Sequence, residues 1–278
     1  MKAIFAHLAA YPAPIRLLAF LAIVVLIWLP FALPIALLIR DPNLLTISTM
    51  GLLFIVFLLL IPVWGRRVHR EQRIFQTYGL VLTRQMGQEL LLGLGLGAVS
   101  LFALFGLQSW LGWVQWQASP EPIGRVILEG SLTGLGVGLA EEIVFRGWIL
   151  DELRRDYSPN QTLWANSLIF ACLHFIKSIS EIVRTFPQFP GLVLLGLALV
   201  WAKRATHGRL GLSIGLHAGL VWSYYIVNVG KLVQYPKQVP LVLTGIDRNP
   251  LAGVMGLLFL AGLAALMRWL TRRQLRSH

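Results

Sequence analysis

Three ionisable side chains interrupt an otherwise apolar stretch of this chain. Glu141, Glu142 and Arg146 follow ten uncharged residues, 131–140. Placing one charge at the centre of a bilayer costs roughly 2.5–3.5 kcal/mol, so such groups are normally paired, hydrated or functional. Glu142 and Arg146 share a helical face and are predicted to pair. Glu141 lies about 100° around the helix, which leaves it free to act as a general base.

Two histidines lie inside other apolar segments, His174 and His217. A single histidine of this kind is usually an interhelical hydrogen-bonding group. Two of them together with a glutamate pair, on three separate segments, favour convergence in one polar cavity. The remaining histidines lie in flanks and loops, and we expect them at the surface: His7, His69, His207 and His278.

The chemistry of such a cavity has two interpretations. Glu141, His174 and His217 match the ligand set of a catalytic divalent metal such as zinc. The same groups suit a metal-free arrangement in which the glutamate is the base and a histidine orients the reacting groups or donates to an oxyanion. The sequence holds no HExxH helix, so spacing alone does not decide between them.

The composition is that of a polytopic membrane protein. The 278 residues are 56% hydrophobic and 13% charged, with a mean hydropathy of +0.71, whereas soluble domains carry about 25% charged residues. We predict an all-α bundle, a single membrane domain over residues 1–278, with about eight transmembrane helices around a polar intramembrane cavity. The expected spans are Leu17–Ile39, Leu45–Trp64, Leu90–Trp116, Val126–Leu150, Thr162–Ile176, Phe189–Ala202, Leu212–Val229 and Leu251–Leu270. Gly93, Gly95 and Gly97 are expected to allow close helix approach.

The net charge of +12 is explained by the membrane rather than by nucleic acid. Lys and Arg gather at the ends of apolar segments, where they contact lipid headgroups. If the N-terminus is cytoplasmic, the cytoplasmic flanks hold more than twice as many Lys and Arg as the opposite flanks. We therefore expect an even number of spans, both termini in the cytoplasm, a bacterial plasma membrane as the location, membrane lipids as partners and no nucleic acid.

The order and spacing of these groups resemble a known family. Glu-Glu-x-x-x-Arg at 141–146, then Phe-x-x-x-His ending at His174, then a later membrane histidine, His217, are similar to the CAAX-protease and bacteriocin-processing (CPBP or Abi) family, which includes type II CAAX prenyl endopeptidases. The resemblance covers about residues 126–229. It implies an eight-span bundle whose cavity opens to the cytoplasm, and hydrolysis of a peptide bond at the membrane. By that resemblance Glu141 activates water, while Glu142 and Arg146 shape the site.

The chain departs from the family pattern at one position. The family's third motif has Asn or Asp four residues after its histidine, and here that position is Val221. The missing donor puts oxyanion stabilisation in doubt, an interaction worth about 3 kcal/mol. Ser213 or Tyr224 shares the His217 face and is a candidate substitute. Asn228 lies about 16 Å further along the axis, too far to act at the same point.

These observations give one leading function and two alternatives. The leading prediction is an intramembrane endopeptidase that acts on a protein or peptide substrate, with or without a lipid. The first alternative is a catalytically impaired family member that binds a partner or confers immunity. The second is a transporter or proton relay, a class in which membrane Glu and His are common but matching halves are expected. Counted along the predicted spans, His217 should lie shallow and His174 deep.

Overall fold

The computed structural model describes residues 7–236 and 239–276. Lys2 and Lys237, both counted in the charge prediction, and His278, predicted at the surface, lie outside the described residues. Nearly all regular structure in these ranges is helical, which confirms the all-α prediction. The α-helices are α1 Ala13–Leu38, α2 Pro42–Trp64, α3 Ile74–Thr77, α4 Arg84–Trp110, α5 Ile123–Glu142, α6 Leu150–Arg154, α7 Pro159–Leu173, α8 Ile179–Thr185, α9 Phe189–Ala205, α10 Gly211–Val229, α11 Leu241–Thr244 and α12 Val254–Arg276. Short π- and 3₁₀-helical segments lie at Gly65–His69, Ile143–Ile149, Phe186–Gln188, Ile246–Arg248 and Pro250–Ala252. One two-stranded antiparallel sheet pairs β1 Gln115–Trp116 with β2 Val233–Gln234.

The bundle is that of an integral multi-pass membrane protein. Within the described ranges, seven helices are long and apolar enough to cross a bilayer. The predicted fifth span, Thr162–Ile176, is the exception, because α7 has 15 residues and reaches only about 22 Å. A hydrocarbon core of about 30 Å is longer than that. Since α7 stops at Leu173, His174 lies at the end of a short helix.

Contacts between helix ends place both described termini at the same end of the bundle. Arg16, near the start of α1, binds Glu152 in α6. Arg204, at the end of α9, donates to the carbonyl oxygen of Pro159 at the start of α7. The Thr271 hydroxyl in α12 donates to the Trp201 carbonyl oxygen in α9. We call this end, which gathers the start of α1 and the end of α12, the terminal end.

Helix α10 is held tightly between α4 and α5 by glycines. A Cβ atom on Gly93 would lie 2.5 Å from the Leu212 carbonyl oxygen, and one on Gly215 would lie 2.0 Å from that of Leu90. Small residues allow such close contact between membrane helices. Gly95 has no neighbouring atom within 4 Å of the position of a Cβ atom. The prediction that Gly95 also allows close helix approach was therefore wrong.

Helix α5 also packs closely on α10 through glycines. A Cβ atom on Gly134 would lie 2.7 Å from the Ala218 carbonyl oxygen, and one on Gly138 would lie 3.0 Å from the Ala218 amide nitrogen. Helix α5 carries the glutamate pair, and α10 carries His217 one residue before Ala218. The glycine contacts therefore bring the two parts of the candidate site together.

Candidate active site

The helix that carries the glutamates widens immediately after them. Helix α5 ends at Glu142, and a π-helix covers Ile143–Ile149 before α6 continues. Such π segments are rare and are frequent at functional sites. Two successive carbonyl oxygens of this segment accept side-chain donors, Phe145 from Asn166 Nδ2 at 2.7 Å and Arg146 from Lys203 Nζ at 2.6 Å. The wide turn is therefore fixed by donors from α7 and α9.

Glu142 lies at the centre of a buried ionic network. Its Oε1 atom is 3.0 Å from Arg146 Nη1 and 3.1 Å from His217 Nδ1. The side chains of Glu142 and Arg146 are fully buried. The predicted pair is present, and it also holds the histidine of α10. His217 thus adds a second hydrogen bond to the oxygen that Arg146 binds, while Glu142 Oε2 has no hydrogen-bond partner among the described residues.

Glu141 points at both histidines. Its Oε2 atom lies 3.8 Å from Nε2 of His174 and 3.8 Å from Nε2 of His217. Glu141 and His174 are each about one-third exposed, at 30% and 32%, whereas His217 is nearly buried. The structure thus brings the five candidate residues into one group, and its exposed side belongs to Glu141 and His174. The predicted difference in depth between the two histidines is not observed, because both Nε2 atoms reach the same carboxylate oxygen.

The hydrogen-bond partners of the two imidazoles assign their protons. Nδ1 of His174 is 2.7 Å from the Phe170 carbonyl oxygen, which can only accept, so this nitrogen carries the hydrogen. Nδ1 of His217 faces the Glu142 carboxylate and donates to it by the same argument. In their neutral forms both rings therefore present an Nε2 lone pair to Glu141. Three acceptor atoms that face one another require a proton, a water or a cation between them.

This donor set suits a metal in its chemistry. Histidines that bind metals usually donate their other N–H to a carboxylate or a backbone carbonyl, as His217 and His174 do. The distances from Glu141 to the two Nε2 atoms, 3.8 Å each, exceed by a few tenths the separation of about 3.4 Å between ligands of tetrahedral zinc. Across residues 7–236 and 239–276, no three His, Cys, Asp or Glu side chains have metal-binding spacing as they stand.

Three further residues contribute to the site and were not among the predicted site residues; of these, Phe170 had entered only as the first residue of the Phe-x-x-x-His motif. The ring centroid of Phe170 is 4.4 Å from the Arg146 guanidinium and 4.5 Å from the His174 ring. Asn166 lies one turn before Phe170, and Lys203 ends α9. The repeat of Asn166, Phe170 and His174 at four-residue intervals was a signal for one face of α7. Lys203 carried no such signal, because it was counted among the flanking cations.

Val221 lines an apolar cavity beside His217. The cavity has a volume of about 150 Å³ and lies between α4, α9, α10 and α12. Leu101, Leu195 and Leu260 are among the side chains that form its walls. The position where the family has Asn or Asp therefore contributes hydrocarbon to this wall.

The residues considered as substitutes for the missing donor have different surroundings in the structure. The Ser213 hydroxyl is buried and donates to the Leu210 carbonyl oxygen at 3.1 Å. Tyr224 lines the same cavity as His217, and its hydroxyl is 3.5 Å from the Arg248 carbonyl oxygen. Asn228 lines a different, smaller cavity. Tyr224 is thus the candidate that shares a cavity with His217.

Part of the chain matches a known protein family. Residues 123–223 match the family model described as "Type II CAAX prenyl endopeptidase Rce1-like". The matched segment runs from the start of α5 into α10 and contains all five candidate residues. No curated protein and no solved structure gives a significant match to the chain. The predicted resemblance is confirmed over this segment, which is similar to the Rce1-like type II CAAX prenyl endopeptidases.

Proposed function

We propose that this protein is a membrane-embedded endopeptidase in which Glu141 activates water for attack on a peptide bond. The observation that carries the proposal is the state of the Glu141 carboxylate. Its Oε2 atom is buried and accepts no hydrogen bond from any described residue, yet it faces two imidazole nitrogens at 3.8 Å. A general base needs a free acceptor atom within reach of the proton that it removes.

The proposed reaction uses the neighbours of Glu141 in distinct roles. A water between Glu141 and His174 loses one proton to the Glu141 carboxylate, and its oxygen adds to the substrate carbonyl carbon. The carbon–nitrogen bond then breaks, and Glu141 returns the proton to the leaving amine nitrogen. His174 holds the water through Nε2. In its protonated form His217 keeps Nδ1–H on Glu142, which Arg146 fixes, and donates Nε2–H to the carbonyl oxygen that becomes negative.

The same residues define the metal-dependent form of this proposal. Glu141, His174 and His217 would hold a divalent cation such as zinc, which lowers the pKa of a bound water and polarises a carbonyl. The roles of Arg146 and Glu142 in fixing His217 are the same in both forms. Chelation of the purified protein separates the two forms.

The proposed substrate is a segment of a protein or peptide, with or without a lipid. The family supports a peptide substrate. The exposed side of Glu141 and His174 gives such a chain access, and the apolar cavity beside His217 accepts a hydrocarbon group rather than a charged one. Membrane lipids surround the bundle, and nothing in the basic flanks requires nucleic acid.

We place the terminal end in the cytoplasm of a bacterial cell, with the rest of the bundle in its plasma membrane. The exposed cations of this end include Arg66, Arg67 and Arg155, and cytoplasmic loops carry an excess of such residues. Single cysteines introduced at Arg67 and at Ser119, in a Cys172→Ser background, test this orientation. Only the cysteine at position 67 should be protected from an impermeant thiol reagent in intact cells.

The enzymatic proposal is tested with purified protein and a panel of fluorogenic peptides, with and without a C-terminal prenylcysteine. Wild type and Glu141→Ala are compared, each untreated, chelated, and chelated then supplied with zinc. Cleavage by wild type that is lost in the variant supports the peptidase. Loss on chelation and recovery with zinc assign the metal-dependent form, and unchanged activity assigns the metal-free form.

One observation favours a second candidate function. Val221 removes the donor that the family pattern places beside its histidine, and the wall there is apolar. A protein with that wall could bind a peptide or a partner membrane protein without cleaving it. Binding of a peptide that survives Glu141→Ala, together with no cleavage of any peptide by folded wild type, would favour this non-enzymatic function.

A further inference from the structure

A buried lysine grips the segment that follows the glutamates. Lys203 is 3% exposed, and its ammonium donates to the carbonyl oxygens of Arg146 at 2.6 Å and Tyr78 at 2.8 Å. It forms no ion pair with any of the residues that the structure describes. Burying a cation without a counterion is costly, so these two carbonyl contacts are the compensation that its position depends on.

Helix α9 contacts Arg146 at two points, and Lys203 makes one of these contacts. While Lys203 holds the backbone carbonyl of Arg146, the Gly196 carbonyl oxygen two turns earlier accepts from Arg146 Nη2 at 3.3 Å. Helix α9 thus contacts both ends of the residue whose guanidinium binds Glu142. Movement of the Arg146 backbone would carry that guanidinium away from Glu142 and His217.

From these contacts we propose that Lys203 is a positioning residue for the site: it keeps residues 143–149 in the π-helical form that aligns the glutamates with the histidines. This inference rests on the proposed peptidase only where it concerns activity. Lys203 touches none of the proposed reacting atoms and acts through the Arg146 backbone.

The π-helix matters because both of its ends are anchored. Helix α5 is packed on α10 through Gly134 and Gly138, and α6 is bound to α1 and α2 through the contacts of Glu152 with Arg16 and Trp64. The wide turn accommodates an extra residue between these anchors. If the segment became a regular α-helix, the extra residue would join the helical repeat. Helix α6 would then turn by about 100° relative to α5 and shift by about 1.5 Å along the axis. With both ends anchored, that change would move Arg146, which lies inside the π-helix, away from Glu142.

A second donor supports the same interpretation. Asn166 on α7 donates to the Phe145 carbonyl oxygen at 2.7 Å, so consecutive carbonyls of the wide turn are held from two different helices. Side chains that insert into a helical ladder in this way are a known cause of local distortion. If both donors act on the turn, removing either should have the same kind of effect.

The test compares Lys203→Met with Arg204→Met. The control removes a cation from the same helical turn, but that cation donates to the Pro159 carbonyl oxygen at 2.6 Å and not to the π-helix. We expect Lys203→Met to lower kcat by about 10²-fold, because small misplacement of reacting groups has that effect, while KM changes by less than about threefold. Arg204→Met should keep both values.

A second readout does not depend on activity. Amide hydrogen exchange should rise within residues 143–150 in Lys203→Met, whereas in Arg204→Met any rise should be confined to the start of α7. If wild type cleaves no peptide, the peptidase proposal fails while the exchange result still decides the role of Lys203. Unchanged exchange in folded Lys203→Met would overturn the inference. So would a kcat equal to that of wild type.

If Lys203→Met does not fold, the variant Asn166→Leu provides a second test. It removes the other donor while keeping the branching and the number of side-chain heavy atoms, and we expect the same fall in kcat and the same rise in exchange over 143–150. In the double variant the two effects should combine to less than their product, since both act on one turn. If Asn166→Leu changes neither quantity, the inference is wrong.

Discussion

Two buried glutamates lie ten residues apart on the same helical segment, and they differ in how completely they are bonded. Glu152 accepts from Arg16 Nε at 2.7 Å on one oxygen and contacts Trp64 Nε1 at 2.8 Å and His69 Nε2 at 2.6 Å on the other. Glu142 binds Arg146 and His217 through Oε1 alone, and its Oε2 has no hydrogen-bond partner among the described residues.

The difference separates a structural cluster from a reactive one. Fixed donors on both oxygens leave a carboxylate little capacity for a substrate, and the Glu152 cluster joins α1, α2 and the π-helical segment Gly65–His69 to α6. Glu142 keeps an unbonded oxygen and stands next to Glu141, whose Oε2 is also unbonded. The same residue types, Glu, Arg and His, therefore form an anchor in one place and a candidate active site in the other.

The largest expected effect is on catalysis at the open cluster. Glu141→Gln should lower kcat by about 10³-fold, because the amide keeps the shape but cannot take a proton. The melting temperature in detergent should not fall, since the wild-type Oε2 atom has no hydrogen bond to lose. Peptide cleavage and thermal unfolding measure the two quantities. The control Glu129→Gln changes an exposed glutamate of α5 and should keep wild-type kcat; a Glu141→Gln enzyme with full activity would remove the open cluster from the reaction.

The closed cluster should show the opposite pattern. Glu152→Leu leaves Arg16 without its buried partner, and we expect a loss of about 3–5 kcal/mol in the free energy of unfolding. Activity per folded molecule should remain that of wild type. The matched control Asp151→Leu removes the surface partner of Arg155 and should cost less than about 1 kcal/mol. Denaturant unfolding in micelles gives both values. An inactive but fully stable Glu152→Leu protein would break the comparison.

The same substitution at the two histidines, His217 and His69, tests the difference between the two clusters. Glutamine keeps a donor but cannot be protonated, so His217→Gln should lower kcat by about 10²-fold if the ring acts beside the reacting carbonyl. His69→Gln should keep kcat and cost about 1 kcal/mol of stability, the value of one hydrogen bond. Kinetics and unfolding of the two purified variants are measured side by side. Equal loss of kcat in both would mean that the His69 cluster also takes part in the reaction.

The smallest expected effect is a gain at Val221. Val221→Asn introduces an amide four residues after His217, where the family pattern has a donor, and we expect kcat to rise by about tenfold, less than the full worth of an oxyanion donor. The control Val221→Thr adds a shorter hydroxyl at the same place. Kinetics with the peptide cleaved best by wild type provide the measurement. A fall in kcat for Val221→Asn would show that the apolar wall itself is required.

Local patterns predicted much of this arrangement and failed at identifiable places. The pairing of Glu142 with Arg146 followed from four-residue spacing on one helix. The surface prediction for His69 was wrong, because its side chain is only 5% exposed and contacts Glu152. The partner is 83 residues away along the chain, and no periodicity reports a contact at that distance. The length of α7 was also mispredicted, since its apolar pattern continues past the point where the helix ends.

The sequence by itself determined the class of protein, most of its spanning helices and the residue types of the candidate site, because membrane insertion and helical periodicity act on contiguous residues. The tertiary structure decided which of the buried charges is fully bonded and which is open. It also decided the π-helix, since the donors to its carbonyls come from residues 21 and 57 positions away. A hydrogen bond between distant segments depends on how helices pack, and the glycine contacts of α4, α5 and α10 set that packing only in the folded bundle.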